Sequence, residues 1–441
     1  MDFNKLKEKA FAKGITQIEI YSSVANSVDF TITDEEMEQR NVSDSNVAYI
    51  RGVYNNQLVG YYTENLEDGE IDKIIDYLTT ASEYITDDTP FFIYEGDKEY
   101  KEVVNPEFKL KDVSLQDKIE FALNINRKIK ASTKYYFHTS VAYYEGTSSS
   151  AIKNTKGLDL EHHGSSAIIY VMCDFKKGDE IKNFYKAKRL LSFDDINVDE
   201  LVDEVVRETE CQFDAKSVKS GTYKAIIHRD ALKSLLGAYS GAFFSTVLKR
   251  KLSFLEGKEG TKVFGDNISI VDDPFYFEDT NKQAFDDEGV STKQNDLVTN
   301  GVFNTFLYNL STAAYFNKKS TGSGFKPAVN ANVSVDFTTL RLLPGEKSYD
   351  NLVKDLGNGI IITSLSGLHA GVNALTGDFN LQSSGFMVED GKITRYVTLF
   401  VTSGNFIDIL NNTLEVGNDT EYYGGIATPS ILVKSLNISG E

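Results

Sequence analysis

Hydrophobic and polar positions change period repeatedly along this chain. Residues 2–13 follow an amphipathic helical pattern that Gly14 stops. Strand-like runs follow at 17–21, 28–33 and 48–62, the last folded back by a turn at Asn55-Asn56. A second helix is predicted over 70–84. Residues 86–112, with Asp87-Asp88-Thr89-Pro90 and Gly96-Asp97, read as a connection. The pattern then recurs. Ser114 followed by Asp117 gives a capping signal for a helix to about Lys130. Strand runs come next at 135–144, 151–158, 166–175 and 181–189, with Lys177-Gly178 turning the last pair. A helix over 198–211 closes this half. Helix followed by meander thus occurs twice, at 2–63 and 114–190, without a residue-level repeat.

Polar, breaker-rich residues from Lys216 to Gly221 mark the main boundary. Beyond it a strand at 223–228 leads into a helix beginning near Asp230, where Leu232, Leu235, Leu236, Tyr239, Phe243 and Val247 keep helical spacing. Gly237, Ala238, Ser240, Gly241 and Ala242 lie between them and permit close approach of a neighbour. Asn300-Gly301 and Asp390-Gly391 each sit between apolar runs and predict tight hairpins, because both favour positive φ. The final 86 residues hold 12 of the 32 glycines, so crowded backbone or unusual turns are expected there. These patterns predict an α+β protein: an N-terminal region of duplicated helix–antiparallel-meander units, and a β-rich C-terminal domain with flanking helices. The expected divisions are 1–90, 91–215 and 216–441. Alternating βαβ crossovers are not evident, which argues against a doubly wound sheet.

Charge narrows the partners. The net charge is −19, from 65 acidic against 46 basic residues. Such a surface repels phosphate backbones and anionic membranes, so neither nucleic-acid nor membrane binding is expected. The first residues carry no apolar signal core, and no apolar run approaches the roughly 20 residues needed to span a bilayer. Cys173 and Cys211 form neither a CxxC motif nor a disulfide framework. A soluble, cytoplasmic protein is expected.

Self-contained catalytic chemistry is hard to find. The five histidines are His138, His162, His163, His228 and His369, and none precedes a glutamate. His162 and His163 are adjacent on a predicted strand, where successive side chains face opposite ways and cannot easily share an ion. No GxSxG elbow, phosphate loop or dinucleotide fingerprint occurs. Asp286-Asp287-Glu288-Gly289 is the densest acidic cluster near a turn. Without calcium-loop spacing it reads as a solvated turn leading towards the Asn300-Gly301 hairpin. No residue is assigned a catalytic or metal-binding role.

Several stretches, in order and at matching spacing over roughly 285–433, resemble the TldD/PmbA family, also described as modulators of DNA gyrase. The strongest runs from Gly367-Leu368-His369-Ala370-Gly371-Val372-Asn373 through Thr376-Gly377-Asp378-Phe379 to Ser384-Gly385-Phe386. Others are Phe285 to Val290, Asn300-Gly301-Val302, Ser320-Thr321-Gly322, Gly404-Asn405-Phe406, Val416-Gly417-Asn418-Asp419 and Pro429 to Val433. The resemblance implies cytosolic dimers that cleave unfolded peptides, including leader peptides. It also implies two subunit types. TldD-like chains carry zinc on a His-Glu-x-x-x-His helix, with a later cysteine as a further ligand. PmbA-like chains, also called TldE, lack that motif and pair with the first. Where the zinc helix should lie, this sequence reads Ser234-Leu235-Leu236-Gly237-Ala238-Tyr239, and no cysteine follows Cys211. The expectation is therefore a PmbA/TldE-like component of a zinc metallopeptidase, with no cofactor of its own and Zn2+ in a TldD-like partner. Homodimerisation is the other pairing consistent with the family. Residues expected to meet substrate or partner are His369, Gly371, Asn373, Gly377, Asp378 and Phe379; the alternative is that this loop only shapes a tight turn. The competing functional reading is a stand-alone peptide- or protein-binding module with no proteolytic role.

Overall fold

The computed structural model describes residues 1–84 and 92–441. Two units of the same plan build its first half. One runs α1 (Phe3–Ala12), β1 (Gln17–Thr33), β2 (Glu36–Tyr54), β3 (Gln57–Thr63) and α2 (Ile71–Ser82). The other runs α3 (Leu115–Ser132), β4 (Tyr136–Asn154), β5 (Asp159–Lys177), β6 (Glu180–Leu190) and α4 (Val198–Glu210). Local chemistry sets the helix starts. Asp2 caps α1 by accepting from the Asn4 and Lys5 amides, and Ser114 caps α3 by accepting from Asp117. All six strands join one antiparallel sheet in the order β3-β2-β1-β4-β5-β6, so the two units meet at β1 and β4. Of the expected connection at 86–112, residues 86–91 lie outside the described residues, as does the division at 90/91. The remainder is irregular up to a one-turn helix at Lys109–Asp112.

The strands are much longer than their apolar runs. Residues 17–21 and 28–33 belong to a single strand, and 136–144 and 151–154 likewise merge into β4, while 155–158 turn into β5 instead. The joining segments are polar, yet they pair without a break: Ser23 faces Val47 and Ser150, and Ala25 faces Ser45 and Ser148. With both faces largely hydrated, such a segment carries no alternation, and the ladder alone orders it. A separate core lies at each end. Leu6, Ile18, Ile50, Ile74 and Leu78 form one, while Phe30, Ile32, Ile125, Val141, Ile169 and Val205 form the other. β1 therefore contributes Ile18 to the first core and Phe30 and Ile32 to the second.

In the second half, β7 (Gly221–Ile227) lies between strands Gly359–Ser366 and Ile431–Ser439. The sheet continues through Asp378–Glu389 to Lys392–Asn405, which pairs in turn with Ile431–Ser439 and closes five strands into a barrel. β7 runs parallel to Gly359–Ser366, a crossover not evident from the sequence pattern. Both predicted hairpins form, with φ of 48° and 82° at Asn300-Gly301 and 50° and 72° at Asp390-Gly391. The helix expected from Asp230 through Val247 is shorter: α5 spans Arg229–Tyr239. A tighter turn at Ser240–Phe243 follows, then a five-residue helix at Ser245–Lys249. The break occurs at Phe244, which is extended, while the Ser245 amide bonds the Leu307 carbonyl instead. No helix among the described residues is long and apolar enough to cross a membrane.

Candidate functional site

Helix α5 starts the site. Leu232, Leu235, Leu236 and Tyr239 are buried in the largest core. The Tyr239 ring stacks on Phe406 with centroids 4.7 Å apart, and its hydroxyl donates to the Asp378 carbonyl at 2.8 Å. Burial holds this phenol well above the ordinary tyrosine range. The contact joins α5 to the glycine-flanked loop.

That loop is largely bonded to itself. The Asn373 side chain accepts from the Leu375 and Thr376 amides, its own amide donates to the Asp378 carbonyl, and Gly377 donates back to the Asn373 carbonyl. Gly377, at φ 83°, is buried and accepts from the Phe406 amide. The Asp378 carboxylate accepts from Asn405 and Thr376, and these bonds hold its pKa below the usual range. Phe379 is buried beneath the loop. An open groove of about 900 Å³ runs alongside, lined by Gly371, Val372, Asn373, Leu375, Asp378 and Asn380 among others. Four of the six expected residues, Gly371, Asn373, Asp378 and Phe379, thus line one groove. Gly377 serves the turn, and His369 is exposed on a four-residue helix whose Ala370 and Gly371 line the groove while His369 does not.

The acidic turn departs from its sequence reading. Asp286 and Glu288 are buried, and Asp287 is partly buried against the N-terminal sheet. Asp286 accepts from the Glu288, Val290 and Gly324 amides. Tyr21 of β1 donates to Asp287 at 2.7 Å, and Glu288 accepts from the Leu310 amide. The Arg51–Glu19 ion pair and Lys326 complete the cluster; Lys326 sits over the Tyr21 and Tyr49 rings. Burial raises the Glu288 carboxyl to about 7, against the pull of the Leu310 amide and Arg51. Burial and the adjacent Glu288 push Asp286 up as well. Burial, aided by Arg51, lowers Lys326 to about 8. The correction has a simple cause. Three consecutive acidic residues before a glycine read as hydrated until the fold supplies amide donors and an opposing sheet. Glu19, between Ile18 and Ile20, gave no sequence signal beyond ordinary strand alternation.

The sequence matches the PmbA/TldA metallopeptidase central domain over residues 108–213 and the C-terminal domain over residues 220–440. The chain belongs to the PmbA/TldD family. It is 29% identical over 225 residues to Metalloprotease PmbA of Escherichia coli O157:H7, covering 51% of this chain and 47% of that protein. A PmbA homologue of Haemophilus influenzae is 31% identical over 218 residues, 49% of this chain and 45% of that protein. The chain thus spans about half the length of these curated relatives. A Methanocaldococcus jannaschii metalloprotease is 23% identical over 439 residues, covering 96% of this chain and 93% of its own length. A Thermotoga maritima structure, solved as a candidate modulator of a DNA gyrase, matches with TM-score 0.90 at 27% identity, covering 99% of this chain and all of the other. TldE from Thermococcus kodakarensis matches with TM-score 0.89 at 21% identity over 99% and 100% of the two chains, a likeness of fold alone.

The metal that the metallopeptidase description implies does not suit residues 234–239 of α5. A zinc site takes three or four nitrogen, sulfur or carboxylate ligands converging on one point. Along Ser234 to Tyr239 the polar side chains are one hydroxyl donating to the Asp230 carbonyl and one phenol donating to the Asp378 carbonyl. Both cysteines lie in the N-terminal half, where burial lifts the Cys173 thiol to about 11 and the Cys211 thiol to about 12. Among the described residues, no three His, Cys, Asp or Glu side chains are placed to hold an ion.

Proposed function

We propose that this chain is a PmbA/TldE-like, non-catalytic subunit of a TldD/PmbA-type metallopeptidase that cleaves unfolded or leader peptides. Zinc and hydrolysis would come from a TldD-like partner. The observation that carries this reading is the content of α5: apolar side chains, glycine and a tyrosine bonded to backbone fill the stretch where a zinc helix is expected. Metal-activated water needs an ion held by several ligands, and this segment offers none. The relatives named Metalloprotease PmbA support the metallopeptidase family alone, over about half of those proteins.

The test is zinc content and cleavage of an unfolded peptide, for the chain alone and for the chain mixed with a partner bearing His-Glu-x-x-x-His. Zinc and cleavage confined to the mixture, with co-elution of the two chains, is the expected result. Stoichiometric zinc and cleavage by the chain alone would overturn the proposal. A failure to co-elute with the partner would favour a stand-alone binding module.

A further inference from the structure

A small, recessed cavity of about 220 Å³ lies where the two halves of the chain meet. Arg189 of β6 enters it from the N-terminal half, and its other walls include residues 279–283, the Phe325 and Phe337 rings and Tyr422. Arg189 and Asp279 are its charged lining residues, one of each sign. They are poorly joined. Arg189 Nη1 reaches the Asp279 carboxylate and the Tyr422 hydroxyl only at 3.5 Å each, beyond the usual ~2.7–3.2 Å of an N–H···O bond. Arg189 Nε is buried with no partner among the described residues. A buried guanidinium with most of its donors unplaced is unfavourable. Asp279 accepts from the Asn281 amide at 2.9 Å and from the Thr339 hydroxyl at 3.1 Å, one bond to each oxygen. A carboxylate can accept about four hydrogen bonds, so both oxygens retain capacity. Two carboxamides complete the polar lining. Asn281 gives its oxygen to the His162 ring at 3.1 Å and its amino group has no described partner, while the Gln283 side chain bonds none of the described residues. Burial holds His162 below its ordinary range, so its ring is neutral near pH 7 and adds no charge.

We propose that this cavity binds a small zwitterion, an α-amino acid with a short apolar side chain, across the Arg189–Asp279 pair. The ligand carboxylate takes the unplaced Arg189 donors together with the Asn281 and Gln283 amino groups. The ligand ammonium takes the spare acceptor capacity of Asp279 and of the Tyr422 hydroxyl. Phe325 and Phe337 cover the side chain. Charge decides between ligand classes. A plain anion would bring a second negative charge beside Asp279, and a plain cation a second positive charge beside Arg189. A molecule carrying both signs adds no net charge and supplies an acceptor for the guanidinium and a donor for the carboxylate. The cavity is smaller than the roughly 300–1,000 Å³ of sites for drug-sized ligands, which limits its occupant to a small molecule. Occupancy would tie the N-terminal sheet to the second half through the ligand. The assignment does not depend on the metallopeptidase reading above.

The test is isothermal titration calorimetry of the full chain with L-valine, and with its amide and its N-acetyl derivative, each of which lacks one of the two charges. L-valine is expected to bind saturably with a Kd of about 0.01–1 mM, and either derivative about tenfold more weakly or worse. The variants are Arg189→Gln, expected to abolish binding, and Gln283→Ala. Because the Gln283 side chain bonds no described residue, its truncation should weaken valine about fivefold and leave the melting temperature unchanged. No saturable heat from L-valine up to about 10 mM would overturn the site. So would valine affinity unchanged by Gln283→Ala, whatever Arg189→Gln does to the fold. N-acetylvaline binding as tightly as valine would also overturn the zwitterion assignment, and would mark a pocket for a carboxylate alone, such as the end of a peptide chain.

Discussion

Two side chains carry the most information at the residue scale. Tyr239 occupies the helix where a zinc ligand set is expected, and it earns its burial through one hydrogen bond and one stacked ring. Replacing it with Phe keeps the stacking and removes the donor. Because the Asp378 carbonyl retains the Asn373 amide, the loss should be only about 1 kcal/mol in a urea titration. A loss near zero would mean that the hydroxyl does not tie the loop to α5. Glu288 offers a test of opposite sign. Its carboxyl is raised to about 7 by burial. Below about pH 4.5 folded and unfolded chains are both protonated there, and the group has no net effect. Between 4.5 and 7 only the unfolded chain ionises, so stability falls as pH rises and the penalty is complete above 7. Glu288→Gln keeps an acceptor for the Leu310 amide without the charge. Thermal melts should show it roughly 1–3 kcal/mol more stable than wild type at pH 8, and equal to it near pH 4. A variant less stable at pH 8 would show that the carboxylate is a net contributor to the cluster.

At the scale of elements, local signals were legible where the cause is local. The Ser114 cap and the Asn300-Gly301 and Asp390-Gly391 turns depend on a few neighbouring residues, and each formed where its sequence placed it. Strand lengths depended on partners far away. Nothing in residues 22–27 distinguishes a paired strand from a loop until β2 and β4 lie on either side. The extended Phe244 was equally invisible, because its bridge partner, Leu307, is remote in sequence. Of the site, the loop residues were legible only through the family resemblance, whereas Asn380, which also lines the groove, reads as an ordinary polar position of a strand. The barrel strands supply a graded test. A Cβ at Gly385 would lie 1.8 Å from the Ile361 carbonyl of the adjoining strand, so Gly385→Ala should cost about 3 kcal/mol or more by overpacking. Gly357 has open space around it but sits at φ 66°, ψ −89°, outside the left-handed helical region, so Gly357→Ala should cost about 2 kcal/mol from backbone strain alone. Chemical denaturation of the pair checks the order; equal costs would mean that the barrel relaxes at Gly385.

For the whole molecule, the acidic surface sets one clear expectation. With a net charge of −19, the purified chain should bind duplex DNA no more tightly than about 10⁻⁴ M at physiological salt, as read by gel shift or anisotropy. Micromolar binding would revive a direct role at DNA. The doubled helix–meander plan was legible in the pattern of elements, but its union into one sheet was not, since β1 and β4 are separated by more than a hundred residues. That union bears on how the protein is made. Phe30 and Ile32 leave the ribosome with the first unit, yet their core consists of side chains from α3, β4, β5 and α4. At ordinary elongation rates of about 5–20 residues per second, some ten seconds or more separate their synthesis from that of Val205. Until the second unit emerges, β2 pairs with this end of β1 but Phe30 and Ile32 lack their core, and shielding them falls to the cell's chaperones.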